Sequence, residues 1–402
     1  MKTKHVNMKF ALLISIMWLW STTARADERI WLDARINNQP VRLIFDTGAE
    51  GLILFAPTAE RLGLKVVAPP PEIIPGAGKV VTGTTEDCTL SIQSMGATVR
   101  FQVVNSPSYL RWDVDGVVGW DAIYRGIFCI DALAKSVVIL PAVPAEITSW
   151  LRFPVATNSI FALEIPHGSS PATSLFIDTG SSGGVALGPE EWRKWSAANI
   201  NEQTTLQAYF MPGAGLVVTK EMWAGELAFG PLRLTEVPVV EANSAQVALG
   251  GRQYEASLGL AALKRLDLII DGRQGVAYVR PKTSRPVPYP HNRLGAVFVP
   301  RDGHGNDLVA CVAEGGPAWN AGIRSGDLLL KIGALDVGKW QTDPVILPLS
   351  RFWARPPGTR FELSIRRGDT IMKFPVLLQQ ILPPEPSEPS NTMVKPGPAK
   401  VP

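Results

Sequence analysis

The sequence predicts a mainly β chain, with two related lobes forming a bilobal pseudo-twofold unit and a third, smaller β unit after them. Three observations predict this. The first is an internal repeat. Four short elements recur in the same order: Phe45-Asp46-Thr47-Gly48 with Ile177-Asp178-Thr179-Gly180, Pro75-Gly76-Ala77-Gly78 with Pro212-Gly213-Ala214-Gly215, Val117-Val118-Gly119 with Ser257-Leu258-Gly259, and Cys129-Ile130-Asp131 with Ile269-Ile270-Asp271. The offsets between copies are 132, 137, 140 and 140 residues. Duplication followed by loop insertion leaves such slowly growing offsets. The second is a series of short apolar runs bounded by turn residues in both copies. The third is the content of 36 glycines and 34 prolines in 402 residues, which favours strands, turns and linkers over long helices.

Taken in order, residues 1–26 read as a cleaved secretory signal. Lys2, Lys4 and Lys9 precede the apolar run Phe10 to Trp20, and Ala24-Arg25-Ala26 supplies an A-x-A site. Eleven apolar residues are short for a membrane span; an uncleaved membrane anchor is the alternative. The first lobe is expected over 28–142. Ile30 to Ile36, the turn Asn37-Asn38 and Val41 to Phe45 make a hairpin ending at Asp46. Further strands are expected at Cys88 to Ile92, Thr98 to Val104 and Ser136 to Leu140, and a short helix at Pro57 to Leu62. Residues 141–154 link to the second lobe, 155–282. There, strands are expected at Phe161 to Ile165, Thr173 to Ile177, Glu226 to Phe229 and Val276 to Val279, with a helix at Pro189 to Ala197. The proline-rich stretch 283–292 reads as an extended linker. The third unit spans 293–382. Residues 383–402, rich in Pro, Ser, Glu and Lys, cannot build a core and are expected to be disordered.

Composition excludes several function classes. A net charge of +3, with basic residues scattered, gives no footprint for nucleic acid. The four histidines are far apart and there is no CxxC, so neither metal nor cofactor is expected. Three cysteines are too few and odd in number for a disulfide scaffold. Cys88 with Cys129 is the most plausible single bridge, and free thiols are the equal alternative.

The chemistry sits in the repeated Asp-Thr-Gly. One such motif after a strand is an ordinary turn. Two, at matching places in duplicated units, bring Asp46 and Asp178 together across a pseudo-twofold. Two adjacent carboxylates cannot both ionise cheaply, so they share a proton. The ionised member is a general base for water; the protonated one donates to a carbonyl oxygen. On these residues the chain resembles the retropepsin-like and pepsin-like aspartic peptidases, and most closely the bacterial secreted, two-lobed retropepsin-like proteins. The signature is carried by Ile44-Phe45-Asp46-Thr47-Gly48-Ala49 with Val117-Val118-Gly119, and by Phe176-Ile177-Asp178-Thr179-Gly180-Ser181 with Ser257-Leu258-Gly259, where Ser257 departs from the apolar pattern. The resemblance implies that Asp46 and Asp178 are catalytic. It also implies that Thr47 and Thr179 grip the two loops together, that Gly48 and Gly180 complete those loops, and that Gly119 and Gly259 cross behind them. By the same resemblance the Gly-rich hairpins are flaps over a substrate, with Val80, Val81, Thr82 and Gly83 in the first and Val217 and Val218 in the second. Inert turns are the alternative reading.

The third unit carries Gly316-Pro317-Ala318-Trp319-Asn320-Ala321-Gly322-Ile323, then Ser325-Gly326-Asp327 and Leu328 to Ile332. A short helical turn closed by Gly322 leads to a tight turn and a strand. Phe361 to Ile365 and Ile371 to Val376 form a hairpin. This resembles the PDZ domains attached to bacterial envelope proteases. The resemblance implies that Leu294, Gly295, Ala296 and Val297 form the loop receiving a peptide carboxylate, the peptide adding as a strand to an exposed edge. Trp319, Trp340 and Trp353 are expected in its core.

These readings predict an exported, periplasmic aspartic-type endopeptidase acting on polypeptide, its PDZ-like unit capturing a substrate tail or partner. No nucleic-acid partner is expected, and a membrane only if the signal segment stays attached. The alternatives are an inactive envelope scaffold working through the PDZ-like unit, and a peptidase acting on cell-wall cross-links.

Overall fold

The computed structural model describes residues 29–383 except 68–72, 75–77, 80, 94, 106–113, 157–160, 168–169, 201, 212–214, 244–247, 250–251, 285–287, 302–304, 341–342, 344–345 and 347–348. The expected signal segment and nearly all of the C-terminal tail therefore lie outside the described residues. The architecture is mainly β, with a β-rich N-terminal region and a separate C-terminal β-sheet. No helix among the described residues is long and apolar enough to cross a membrane.

The first hairpin forms as its sequence dictates. Asn37 (φ 47°) and Asn38 (φ 67°) take the left-handed conformation that a two-residue turn needs, and Asn tolerates it. Trp31–Ile36 then pairs with Gln39–Asp46 in the register Trp31↔Ile44 to Ile36↔Gln39. Leu32, Ala34 and Ile36 point inward while Asp33 and Arg35 face solvent. Past Val41 the second strand is buried at Leu43, Ile44 and Phe45 as it enters the core that ends on Asp46. Gly116–Gly119 runs parallel to it, Gly119 opposite Asp46, and antiparallel to Leu52–Phe55. A side chain at Gly116 would stand 2.2 Å from the Ile53 carbonyl oxygen, so only glycine allows this close crossing.

The second copy repeats the layout. Ala256–Leu258 runs parallel to the end of Ser170–Ile177, with Leu258 opposite Ile177, and antiparallel to Val185–Leu187. The two copies then join in one sheet. Ile127–Asp131 of the first pairs antiparallel with Leu266–Asp271 of the second, Cys129 opposite Ile269. Those two residues are counterparts at the offset of 140, so the ladder is symmetric about them. Trp120 stacks on Phe161 at 4.7 Å between ring centroids. Such a pair adds about 0.5–1.5 kcal/mol to its area burial. One apolar core accordingly runs from Ile30 to Val279.

Two expectations are corrected here. The link 141–154 contains the strand Leu151–Ala156, which pairs with Val276–Pro281. The exposed Pro154 hid it, because proline within a run argues against a strand. The stretch 283–292 is no free spacer at its C-terminal end: His291 is buried, and the Tyr289 ring packs on Trp223 at 5.9 Å while its hydroxyl bonds the Glu221 carboxylate. All three thiols are free, with Cys88 and Cys129 in different sheets.

The C-terminal sheet has its own core, including Leu294, Phe298, Leu329, Trp340, Phe352 and Trp353. Its tight turn is tied by Arg367, whose Nε and Nη2 each reach an oxygen of the buried Asp327 at 2.7 Å. Trp319, expected inside, is instead half-buried under the Arg324 guanidinium at 3.9 Å. Cation–π stacking, with the same guanidinium donating to the Trp319 carbonyl (2.7 Å), holds it there.

Candidate active site

The two Asp-Thr-Gly loops meet through reciprocal hydrogen bonds. Thr47 N–H donates to Thr179 Oγ1 (2.9 Å), and Thr179 N–H donates to Thr47 Oγ1 (3.1 Å). The Thr47 hydroxyl donates to the Ile177 carbonyl (2.7 Å), and that of Thr179 to the Phe45 carbonyl (2.9 Å). Each hydroxyl therefore bonds the backbone of the opposite copy just before its aspartate. All four groups are buried, so losing one hydroxyl strands a donor and an acceptor away from water, at about 1–3 kcal/mol each. Thr179→Val is expected to destabilise the chain by about 2–6 kcal/mol in denaturant titration, with Thr179→Ser, which keeps the hydroxyl, recovering most of that loss. Because both threonines serve one ring, the double variant Thr47→Val/Thr179→Val should cost less than the two singles added. Strict additivity would mean the ring does not act as a unit.

This grip brings each aspartate against the opposite loop, the Asp46 carboxyl beside Gly180 and that of Asp178 beside Gly48. Asp46 Oδ1 accepts the Gly48 N–H (2.8 Å); Asp178 Oδ1 accepts those of Gly180 and Ser181 (both 3.0 Å). The Oδ2 atoms are buried and receive no hydrogen bond from an N–H or hydroxyl of the described residues. Two carboxyls acting on each other in this way bond only if one keeps its proton. Both residues are 0% exposed. Burial accordingly pushes Asp46 up to about 6, opposed by the Gly48 N–H and by the Arg29 charge. Asp178 is raised well above the usual carboxylate range, first by burial and then by the charge of Asp46.

The loops are narrow because glycine makes them so. A Cβ on Gly180 would lie 2.3 Å from Asp46 Oδ2, and one on Gly48 would lie 2.8 Å from Asp178 Oδ1. Behind them, Gly119 N–H donates to the Gly51 carbonyl (2.8 Å) and Gly259 N–H to the Gly184 carbonyl (2.9 Å). Ser257, the departure from the apolar pattern, is 3% exposed and sits between Phe176 and Ala186 in the sheet.

The flap candidates divide. Val80 and both tips, 75–77 and 212–214, lie outside the described residues. The flanks pair in matching registers, Ile74↔Gly78 and Met211↔Gly215. Val81 and Gly83 belong to the body of the first sheet, opposite Val104 and Val103, and the Thr82 hydroxyl donates to the Val103 carbonyl. Val217 and Val218 lie in the long strand Gly215–Phe229, opposite Tyr209 and Ala208.

Sequence reasoning missed Arg29. The hairpin register carries one step further, Phe45 N–H donating to the Ile30 carbonyl (3.0 Å), which brings Arg29 opposite Asp46. Arg29 is 6% exposed, and burial lowers its guanidinium to about 10 despite the two aspartates. Continuing the hairpin through its tight turn would have found it; its place just after the expected signal cleavage site drew attention away. Among the described residues no cluster of three or more His, Cys, Asp or Glu forms a metal-ligand set.

In the C-terminal unit, the residues expected to receive a peptide carboxylate are engaged by neighbouring groups. Gly295 has φ 69°, and its carbonyl accepts the Ala313 N–H, so the Ala296 carbonyl faces the opposite edge. That edge is not open at Ala296. Asn292 Nδ2 donates to the Ala296 carbonyl (2.9 Å) and to the Leu206 carbonyl of Thr205–Met211 (2.7 Å). Its Oδ1 accepts the Leu294 N–H (2.9 Å), and its own carbonyl accepts the Thr205 hydroxyl (2.7 Å). Val297 is buried, and the strand Ala296–Pro300 lies against the hairpin of Thr205–Met211 and Gly215–Phe229.

Comparison with known families adds two matches. Residues 32–122 match an aspartyl protease family, and residues 308–367 match a PDZ domain. No curated protein matches the chain. The chain thus carries an N-terminal aspartic-protease-family domain and a C-terminal PDZ domain, the latter a kind of module that binds peptides.

Proposed function

We propose that the chain is an exported, periplasmic aspartic-type endopeptidase, with lobes 28–142 and 155–282 related by an approximate twofold and a PDZ unit that takes a substrate tail or partner peptide. The observation that supports this reading is the reciprocal threonine grip between the two Asp-Thr-Gly loops. The symmetric ladder about Cys129 and Ile269 supports the twofold. Asp46, the carboxyl on which the Arg29 charge acts, is the base. It takes a proton from water as the water oxygen attacks the scissile carbonyl, while Asp178 gives its proton to the carbonyl oxygen. The resulting diol collapses: Asp46 protonates the leaving nitrogen, and a diol hydroxyl returns a proton to Asp178. Because both aspartates are wholly buried, substrate must displace the segments that cover them.

Incubation of a reduced, unfolded polypeptide in ¹⁸O-water tests this. Each new C-terminus should carry a single ¹⁸O after one turnover, and Asp46→Asn should lower the rate at least ~10³-fold. Cleavage surviving in that variant would remove Asp46 from the mechanism. A wild-type chain inert from pH 4 to pH 8, yet retaining peptides at its PDZ unit, would favour an inactive scaffold; the complete burial of the pair is the observation on that side.

A further inference from the structure

We propose that Arg29 is a positioning residue that decides which half of the pair carries the charge: it holds the anion on Asp46 and leaves the proton on Asp178. This rests on the dyad reading above. Backbone hydrogen bonding does not choose between them, since two N–H groups favour the charged form of each: those of Gly48 and Gly180 at Asp46, those of Gly180 and Ser181 at Asp178. The twofold by itself favours neither. Arg29 breaks the tie, because it interacts with both carboxyls but more strongly with that of Asp46. It is the cross-strand neighbour of Asp46 in the first hairpin, buried where its charge is poorly screened. The second hairpin has no matching cation in its sequence. Ile177 N–H donates to the Phe161 carbonyl as Phe45 does to that of Ile30, and the residue before Phe161 is Ile160, which lies outside the described residues.

The charged groups around the pair are few. Arg29 acts from the segment just before the first strand, and each carboxyl acts on the other from the opposite loop. On the same strand Arg42 is exposed and stacks over Trp31. Glu50, buried beyond the first loop, has contacts of its own and is absent from the groups that act on Asp46.

The experiment compares the full chain with Arg29→Met and Arg29→Lys, each labelled with ¹³Cγ-aspartate. Asp46→Asn and Asp178→Asn assign the two carboxyl signals. In Arg29→Met the Asp46 carboxyl should titrate about one to two pH units higher, and Arg29→Lys should restore it. The acid limb of kcat/KM should move the same way, whereas a purely structural role would lower kcat at every pH without moving the limb. If Arg29→Met does not fold, Arg29→Gln replaces it. An Asp46 titration unchanged in a folded, charge-free variant overturns the proposal. A shifted titration in a chain that cleaves nothing leaves Arg29 in this role and removes the peptidase reading, so the two failures are distinguishable.

Discussion

Asp178→Asn is expected to lower kcat at least ~10³-fold and, in the same protein, to raise the melting temperature measured at pH 8. The two effects share one cause. A carboxyl with a folded-state pKa above its unfolded value makes its full contribution to stability below the unfolded pKa, and that contribution is lost as pH rises through the folded pKa. Both aspartates are of this kind, raised first by burial. For Asp46, the rise from 3.8 to about 6 corresponds to roughly 3 kcal/mol of stability lost above pH 6. Asp178 is shifted in the same direction, partly by its neighbour's charge. Asparagine keeps an oxygen for the Gly180 and Ser181 N–H groups, offers a donor to Asp46, and carries no charge to bury. Stability between pH 4 and pH 8 should therefore vary less in the variant than in the parent. Calorimetry at several pH values reads this directly. A variant less stable than the parent at pH 8 would mean that the pair stores no electrostatic strain.

Gly180→Ala should be nearly as damaging to activity, by steric means. Its Cβ would stand 2.3, 2.4 and 2.5 Å from Oδ2, Cγ and Oδ1 of Asp46, all far inside contact distance. That carboxyl cannot simply swing away, because it is held by the Gly48 N–H. Either the loops separate or the carboxyl loses its hydrogen bond, and displacement of a reacting group by about 1 Å costs roughly 10²-fold in rate. Overpacking adds about 1–3 kcal/mol of destabilisation. Gly48→Ala meets Asp178 Oδ1 at 2.8 Å and the Phe176 ring at 3.0 Å, a milder clash. Gly225 has nothing within 4 Å of a built Cβ and serves as the control. Kinetics and denaturant titration of the three should rank Gly180 above Gly48 above Gly225. Equal activity in Gly180→Ala and Gly225→Ala would show that the loops need not approach as closely as they do here.

What could be read from sequence was local or repeated. Asn37-Asn38 announced its turn because few residues tolerate two left-handed positions in succession. The Gly-rich tips announced themselves twice, and the described flanks pair in the same register in both. Pairing between distant segments left no such trace. Nothing in Ile127–Asp131 says that its partner is Leu266–Asp271 rather than a strand of the first sheet. Leu151–Ala156 was masked by a proline that happens to face solvent. Asn292 looked like the end of a linker, because four hydrogen bonds to two different strands and a loop are invisible in one polar letter. Arg29 was within reach, yet its meaning depends on Asp178, which only the closed structure brings to it.

The ladder between Ile127–Asp131 and Leu266–Asp271 also governs how the chain reaches this structure. Its rungs join residues 138 to 144 positions apart, so no local contact substitutes for them. Closing so long a loop carries an entropic cost before any rung forms, and folding dominated by such contacts is slow. Until residues 266–271 have been made, Ile127–Asp131 presents a bare strand edge of Ile, Phe, Cys and Ile, the kind of edge on which other chains template themselves. A half-length chain would thus have neither an aspartate pair nor a protected edge. Carrying both segments in one polypeptide makes the second the cover for the first and, in the function proposed above, half of its site, and it makes the interval between their syntheses the period of greatest exposure to aggregation.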